Sequence, residues 1–177
     1  MVYRWLLRCY GALPFTVRTS LVRIVKPKYT VGTIPFVVRR DGRVLLVRHS
    51  YRKDWATPGG FVNRRERAED AAVREAREEV GLDVTIVAGP LVALDPVGQR
   101  VEVVFLAEAL DDAACDAAAP RSPEVVEARW FDVGSLPHLQ DEARSGWGAL
   151  LDAARSSAEI ARRLPVDRLV DPTRPAA

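Results

Sequence analysis

The chain has 177 residues, 48% of them hydrophobic, enough apolar side chain for one domain with a real core. Its 26 basic and 24 acidic residues leave a net charge of +2, too weak a global field to point to sequence-specific nucleic-acid binding. Cys9 and Cys115 lie far apart without ligand spacing, which argues against a disulfide scaffold and for a reducing, cytoplasmic setting.

Charge is unevenly distributed. Arg4, Arg8, Arg18, Arg23, Lys26 and Lys28 all precede the first acid, Asp41. Residues 1–28 therefore carry +6, and the remainder carries −4 to make up the total of +2. Arg4 and Arg8 also break the leading apolar run, so no cleavable signal peptide is expected. No apolar stretch approaches the ~20 residues that cross a bilayer, so no transmembrane segment is expected. Residues 1–30 read as a basic amphipathic helical arm, which Pro14 should split in two. Its expected role is to pack on the domain or on a second copy as a homodimer. The alternative is weak peripheral contact of residues 1–28 with an anionic membrane.

Two strands follow, `TIPFVVRR` and `DGRVLLVRHS`, around the hairpin signal Asp41-Gly42. The unbroken run Val44-Leu45-Leu46-Val47 predicts a strand buried on both faces. `YRKDWATPGG` reads as a loop ending in a short extended piece at Phe61-Val62, and residues 67–80 read as helix. Strands are expected at `VTIVAG`, `RVEVVFLAEAL` and `VVEARWF`, with `DDAACDAAAPRSP` as a loop and `GSLPHL` as a turn. Residues 140–163 should be helical, and the proline-containing tail, 165–177, should fray. This order predicts one α/β domain over 31–164, a mixed sheet between helices.

Within the helix at 67–80, Ala72, Val73, Ala76 and Val80 form a small apolar stripe at 100° per residue. Glu75, Glu78 and Glu79 occupy the adjoining arc, with Arg74 and Arg77 on the other flank. Gly81 and Leu82 end the helix with a left-handed cap; no Ser or Thr stands at the N-cap. Like charges at i, i+3 and i+4 weaken a helix, so three clustered carboxylates need a reason. A hard divalent cation such as Mg²⁺ supplies one, because it takes oxygen ligands and also binds substrate phosphate. The plainer reading is a solvated acid cluster. The upstream `PGG` at 58–60 favours the cation, since its glycines permit close backbone approach.

The whole stretch 60–82, `GFVNRRERAEDAAVREAREEVGL`, places Gly60, Glu66, Arg74, Glu75, Glu78, Glu79 and Gly81 at the fixed positions of the Nudix box. Seven such matches arise by chance on the order of 10⁻⁹ per window. The chain resembles the Nudix hydrolases, of MutT-like or ADP-ribose-pyrophosphatase-like type, and the likeness runs from about Thr33 to Leu136. The resemblance implies a Nudix α/β/α sandwich and hydrolysis of a pyrophosphate bond in a nucleoside diphosphate joined to another group. The substrate is then a small nucleotide: a sugar nucleotide such as ADP-ribose, a nucleoside triphosphate, a dinucleoside polyphosphate or a capped RNA end. It also implies that Glu75, Glu78 and Glu79 hold Mg²⁺, or Mn²⁺ in its place, with help from the Gly59 or Gly60 carbonyl. Glu66 and Arg74 would brace the loop against the helix.

A carboxylate should take the proton of the attacking water: Glu78, Glu79 or, as an alternative base, Glu124. Arg48 and Arg52 are candidate phosphate clamps, against a role as surface cations. Trp55 is a candidate stacking platform or a loop anchor, and Tyr51 a weaker one. Trp5, Trp130 and Trp147 read as packing residues, while His49 and His138 receive no metal or catalytic role. Two positions depart from the family pattern: Asn63 where Glu is common, and Arg65 where Gly is common. Ala76 is smaller than the usual aliphatic residue and implies close helix–sheet contact. The rival to an enzyme is a Nudix-fold nucleotide sensor that binds without cleaving.

Overall fold

The computed structural model describes residues 8, 10–25, 28–95 and 98–164. Trp5, Cys9 and the 165–177 tail lie outside the described residues. The N-terminal helix α1 (Phe15–Val25) begins just after Pro14, as expected. Its Phe15 and Ile24 are 72% and 78% exposed, so this part of the arm does not cover the core of its own chain.

Strands β1 (Thr30–Val38) and β2 (Arg43–His49) form the expected hairpin. Gly42 takes φ 83° in the turn, and the Asp41 carboxylate accepts the Arg43 N–H at 3.1 Å. The hairpin is paired only at its closed end, Val38 with Val44. From there β1 runs parallel to β6 (Arg100–Ala109), and β2 runs antiparallel to β7 (Val125–Asp132). β3 (Trp55–Ala56) extends the β2 side, β4 (Gly60–Phe61) pairs with β1, and β5 (Val84–Asp95) pairs with β6. The seven strands among the described residues make one mixed sheet that splits into two lobes beyond the hairpin's closed end.

Helices cover both faces. On one, α2 (Ala68–Val80) packs Ala76 and Val80 against Val37, Leu45, Val47 and Ala107. On the other, α4 (Asp141–Ser156) and α5 (Ala158–Arg163) pack Trp147, Leu150 and Ile160 against Phe36, Val44, Leu46 and Val104. The run Val44-Leu45-Leu46-Val47 thus feeds both cores alternately, as its unbroken hydrophobicity predicts. Trp147 is fully buried against Phe36, with ring centroids 5.2 Å apart, and Trp130 donates to the Cys115 carbonyl at 3.0 Å, so both are packing residues. Cys115 is a free, buried thiol.

Several boundaries differ from expectation. β5 continues through Pro90 to Asp95; it is an edge strand, where a missing N–H is tolerated. The loop expected at 111–123 contains α3 (Asp112–Ala117), nucleated by Asp111, whose carboxylate accepts the Ala114 N–H. The helix expected over 140–163 is interrupted at Ser157, whose hydroxyl caps α5. Trp55, expected in a loop, pairs with β2 and bridges to Leu139.

Candidate active site

The splayed ends of β1 and β2 leave a cleft of about 540 Å³. Glu75, Glu78 and Glu79 of α2 line it, together with Gly59 and Gly60, Thr33 and Ile34 of β1, and His49 of β2. Of the stripe read from the sequence, Ala72, Ala76 and Val80 are buried and Val73 is half-buried; Ala71 is buried beside them, and together they fix the rotation that points the carboxylates there. Gly81 takes φ 71° and ends the helix as expected, with Leu82 N–H donating to Ala76 O at 3.2 Å. Arg67 stands at the N-cap without a side-chain cap bond.

The three acids are in different surroundings. Glu79 is 6% exposed; its Oε2 accepts the Gly59 N–H at 3.3 Å and its Oε1 faces His49 Nε2 at 3.7 Å. Glu75 lies over Gly60, where a Cβ would come within 2.5 Å of its Oε1 and would displace that carboxylate. Burial pushes the Glu75 carboxyl above its ordinary value, against the pull of Arg74. Glu78 has the most exposed side chain of the three, at 58%.

Arg74 is not sorted to the opposite flank as its helical angle implied; it sits among the acids. Its Nη1 donates to Glu75 at 2.7 Å and to Glu78 at 3.0 Å, and its Nε to Glu66 at 2.8 Å. The Arg74 hydrogen bond holds Glu66 at about 2, and the Asn63 N–H adds to it at 2.7 Å. Arg74 Nη2 also reaches the Phe61 carbonyl at 3.2 Å, so Glu66 and Arg74 tie the loop to the helix. Arg65 has φ 69°, a left-handed geometry that explains why glycine is common at this place.

The donor set suits a hard divalent cation: three carboxylates border one cleft, and all their donor atoms are oxygen. One cationic nitrogen, Arg74 Nη1, already bridges Glu75 and Glu78. Among the described residues no three acidic, His or Cys side chains converge as a ready-made ligand cluster.

Other expected site residues divide. Arg52 and Glu124 line the cleft; Arg48 and Trp55 do not. Arg48 pairs with Glu127 across the sheet at 2.7 Å and lies over Trp55, which packs edge-on against Phe131. They brace the β2–β7 lobe. Arg52 donates to Gln140 at 3.1 Å and to Glu142 at 3.1 Å. The loop that carries Glu124 is fastened to the end of α2 by Arg121 N–H on Glu79 O at 2.8 Å.

His49 enters the site unannounced. Arg52 on Gln140 Oε1, and Asp54 O accepting from Gln140 Nε2 at 3.0 Å, fix that amide's orientation. Nε2 then faces His49 Nδ1 at 3.5 Å, and the other ring nitrogen of His49 lies nearest Glu79. His138 instead lies beside Asp54 at 3.3 Å, largely exposed. Also missed were Arg100, Glu102 and Glu142 on the far wall. Glu102 is 3% exposed, and burial pushes its carboxyl up.

Comparison with known proteins agrees with this geometry. The NUDIX domain model matches residues 28–151. The ADP-ribose pyrophosphatase of Methanocaldococcus jannaschii is 30% identical over 110 residues, 58% of this chain and 62% of that protein. The match thus spans less than two thirds of that relative. Among solved structures, an ADP-ribose pyrophosphatase from Streptococcus suis 89-1591 shares 26% identity over 73% of this chain and 93% of its own, with a TM-score of 0.56. A MutT Nudix hydrolase from Burkholderia pseudomallei shares 27% over 70% and 98%, with a TM-score of 0.57. A box intact at all its fixed positions, on a sandwich that opens a cleft beside it, and a domain match over most of the chain place this protein in the Nudix family.

Proposed function

We propose that the protein is a Mg²⁺-dependent hydrolase that cleaves the pyrophosphate bond of a nucleoside diphosphate linked to another group, with ADP-ribose as the first substrate to test. The observation that carries this reading is that Glu75, Glu78, Glu79 and the Gly59-Gly60 backbone all border one cleft large enough for such a ligand. The names of the relatives and the family's general use of a divalent metal support it.

In this reading Glu75, Glu78 and Glu79 hold Mg²⁺, or Mn²⁺ in its place, with the Gly60 carbonyl beside them. The cation supplies neutralisation of the phosphate oxygens and a more acidic water. The chain's residues do the rest. Arg74 keeps Glu75 and Glu78 spaced, and Glu66 keeps Arg74 in place. Gly59 N–H and His49 orient Glu79. Exposed Glu78, or Glu124 on the neighbouring loop, accepts the proton as water attacks phosphorus and the P–O–P bridge breaks. Arg52 offers a guanidinium at the cleft for a phosphate oxygen.

Product release from a panel of sugar nucleotides, nucleoside triphosphates and dinucleoside polyphosphates with Mg²⁺ or Mn²⁺ tests the proposal, with Glu79→Gln as control. Turnover that Glu79→Gln abolishes supports it. No turnover, with tight binding of an intact nucleotide unchanged in Glu79→Gln, establishes the sensor instead. A cytoplasmic setting and a homodimer formed through residues 1–28 belong to the same proposal. An unchanged mass in solution after deletion of 1–28 removes the dimer. Vesicle binding by the full chain alone establishes membrane contact.

A further inference from the structure

The parallel strands β1 and β6 end side by side, away from the cleft. Val38 pairs with Glu108, and Glu108 pairs with Thr85 of β5. Directly paired residues share a face. Val38 packs in the core under α4 and α5, so this row lies on the α4 face of the sheet. Beside it, the β5–β6 ladder shifts register between Ile86 and Ala88. A second cavity of about 430 Å³ opens there, between the hairpin turn, α3 and the last turn of α5. Among the described residues it shares no lining residue with the cleft. Ile34 lines the cleft and Val38 the second cavity, about 13 Å further along β1.

Four arginines line this cavity: Arg39 and Arg40 from the turn, Arg162 and Arg163 from α5. Glu108, Asp111 and Asp112 line it too, and each is engaged. Glu108 accepts from Arg163 Nη1 at 2.8 Å. The Asp111 carboxylate caps α3. Asp112 lies 3.8 Å from Arg40 Nη1. Arg39 is tied to Asp116 at 2.6 Å. Arg39 and Arg163 are thus held in place by close ion pairs. Arg40 and Arg162 are not. The Arg40 side chain is 85% exposed, with only the long contact to Asp112. Arg162 makes no ion pair among the described residues; its Nε donates to Ala158 O of its own helix at 3.2 Å.

We propose that this far-end cavity is a second ligand site, which takes a small molecule bearing a phosphate group. Guanidinium forks take phosphate oxygens two at a time, and Arg40 and Arg162 have donors to spare. Arg39 and Arg163 add a fixed positive wall, while Val87, Ala109 and Leu110 offer apolar surface to the rest of the ligand. The volume is that of a small-molecule site. The site stands apart from the box and takes no part in bond breaking, so it holds or falls independently of the hydrolase reading.

Calorimetric titration with inorganic pyrophosphate tests it. EDTA is present, because without a cation the carboxylates of the cleft repel pyrophosphate. One pyrophosphate per chain should bind with a Kd below about 1 mM. Arg40→Ser/Arg162→Ser should weaken it by about fivefold or more, since each lost contact is a hydrogen bond to a charged group. Arg18→Ser/Arg155→Ser removes the same charge from α1 and α4 and should leave binding within about twofold, as should Arg52→Ala in the cleft. Should the first double variant not melt as the wild type does, Arg162→Ser alone decides, with a loss of about threefold or more expected. Binding that is weaker than about 1 mM or does not saturate overturns the site. So does a smaller loss in the deciding variant, an equal loss in the two double variants, or loss of binding in Arg52→Ala.

Discussion

Two carboxylates in this cleft lie over glycines, and they repay comparison. Glu75 rests on Gly60 on the α2 face, and Glu102 rests on Gly32 on the α4 face. Each is drawn to an arginine, Arg74 for Glu75 and Arg100 for Glu102, and burial pushes each carboxyl up. They differ in company. Glu75 has Glu78 and Glu79 on the same helix and Arg74 next to it, so its cluster is local in the chain. Glu102 meets Gly32 and Glu142 across 70 and 40 residues, and only the sheet register and α4 assemble that group. The local cluster concentrates negative charge, as cation binding requires. The dispersed one shares the Arg100 guanidinium between Glu102 and Glu142, so its charge is largely held within the fold.

The largest expected effect is on the local cluster. Glu79→Gln should lower kcat by about 10³-fold, the scale for losing a proton-handling or metal-holding carboxylate, as read by product release. Activity within threefold of wild type would take the α2 carboxylates out of the chemistry. Next, Mg²⁺ should raise the melting temperature of wild type more than that of Glu79→Gln. Saturation at 100 times Kd corresponds to about 2.7 kcal/mol. An equal shift in both proteins would place the cation elsewhere.

Glu66 gives a third test. Its folded value of about 2 lies below the ordinary 4.5 because Arg74 bonds the ionised form. A depressed carboxyl stabilises the fold fully above its unfolded value and loses that contribution as pH falls through its folded one. The melting temperatures of wild type and Glu66→Gln should therefore differ at neutral pH and converge between about pH 4.5 and 2. Parallel curves over that window would mean that Glu66 and Arg74 do not brace the box. The smallest effect belongs to Arg65. Replacing it with glycine at φ 69° should relieve left-handed strain and raise stability by up to about 1 kcal/mol in denaturant titration, net of glycine's own entropy cost.

The same contrast decides what was legible in the sequence. Glu75, Glu78, Glu79 and the Gly81 cap lie on one helix and its end, so spacing alone placed them. The double-sided burial of β2 was legible too, yet that run hid the facing of the residues after it. Four consecutive apolar residues carry no polar phase, so nothing showed that Arg48 would turn to Glu127 while His49 turned to Glu79. Arg74 could have been placed among the acids, since Glu78 stands four residues on and i,i+4 partners meet. Glu102 offered only its position inside an apolar strand, an odd place for a charge. Such a residue invites a search for partners but does not name them.

The one-residue alternation of β4 separates two kinds of change. Substitutions at Gly60, Thr33 or Glu75 alter the α2 face, and those at Phe61, Gly32 or Glu102 alter the α4 face. Because the two sets share a backbone but not a face, one wall can change by point mutation while the other stays as it is. A single-residue insertion in β4 would exchange the two faces at once.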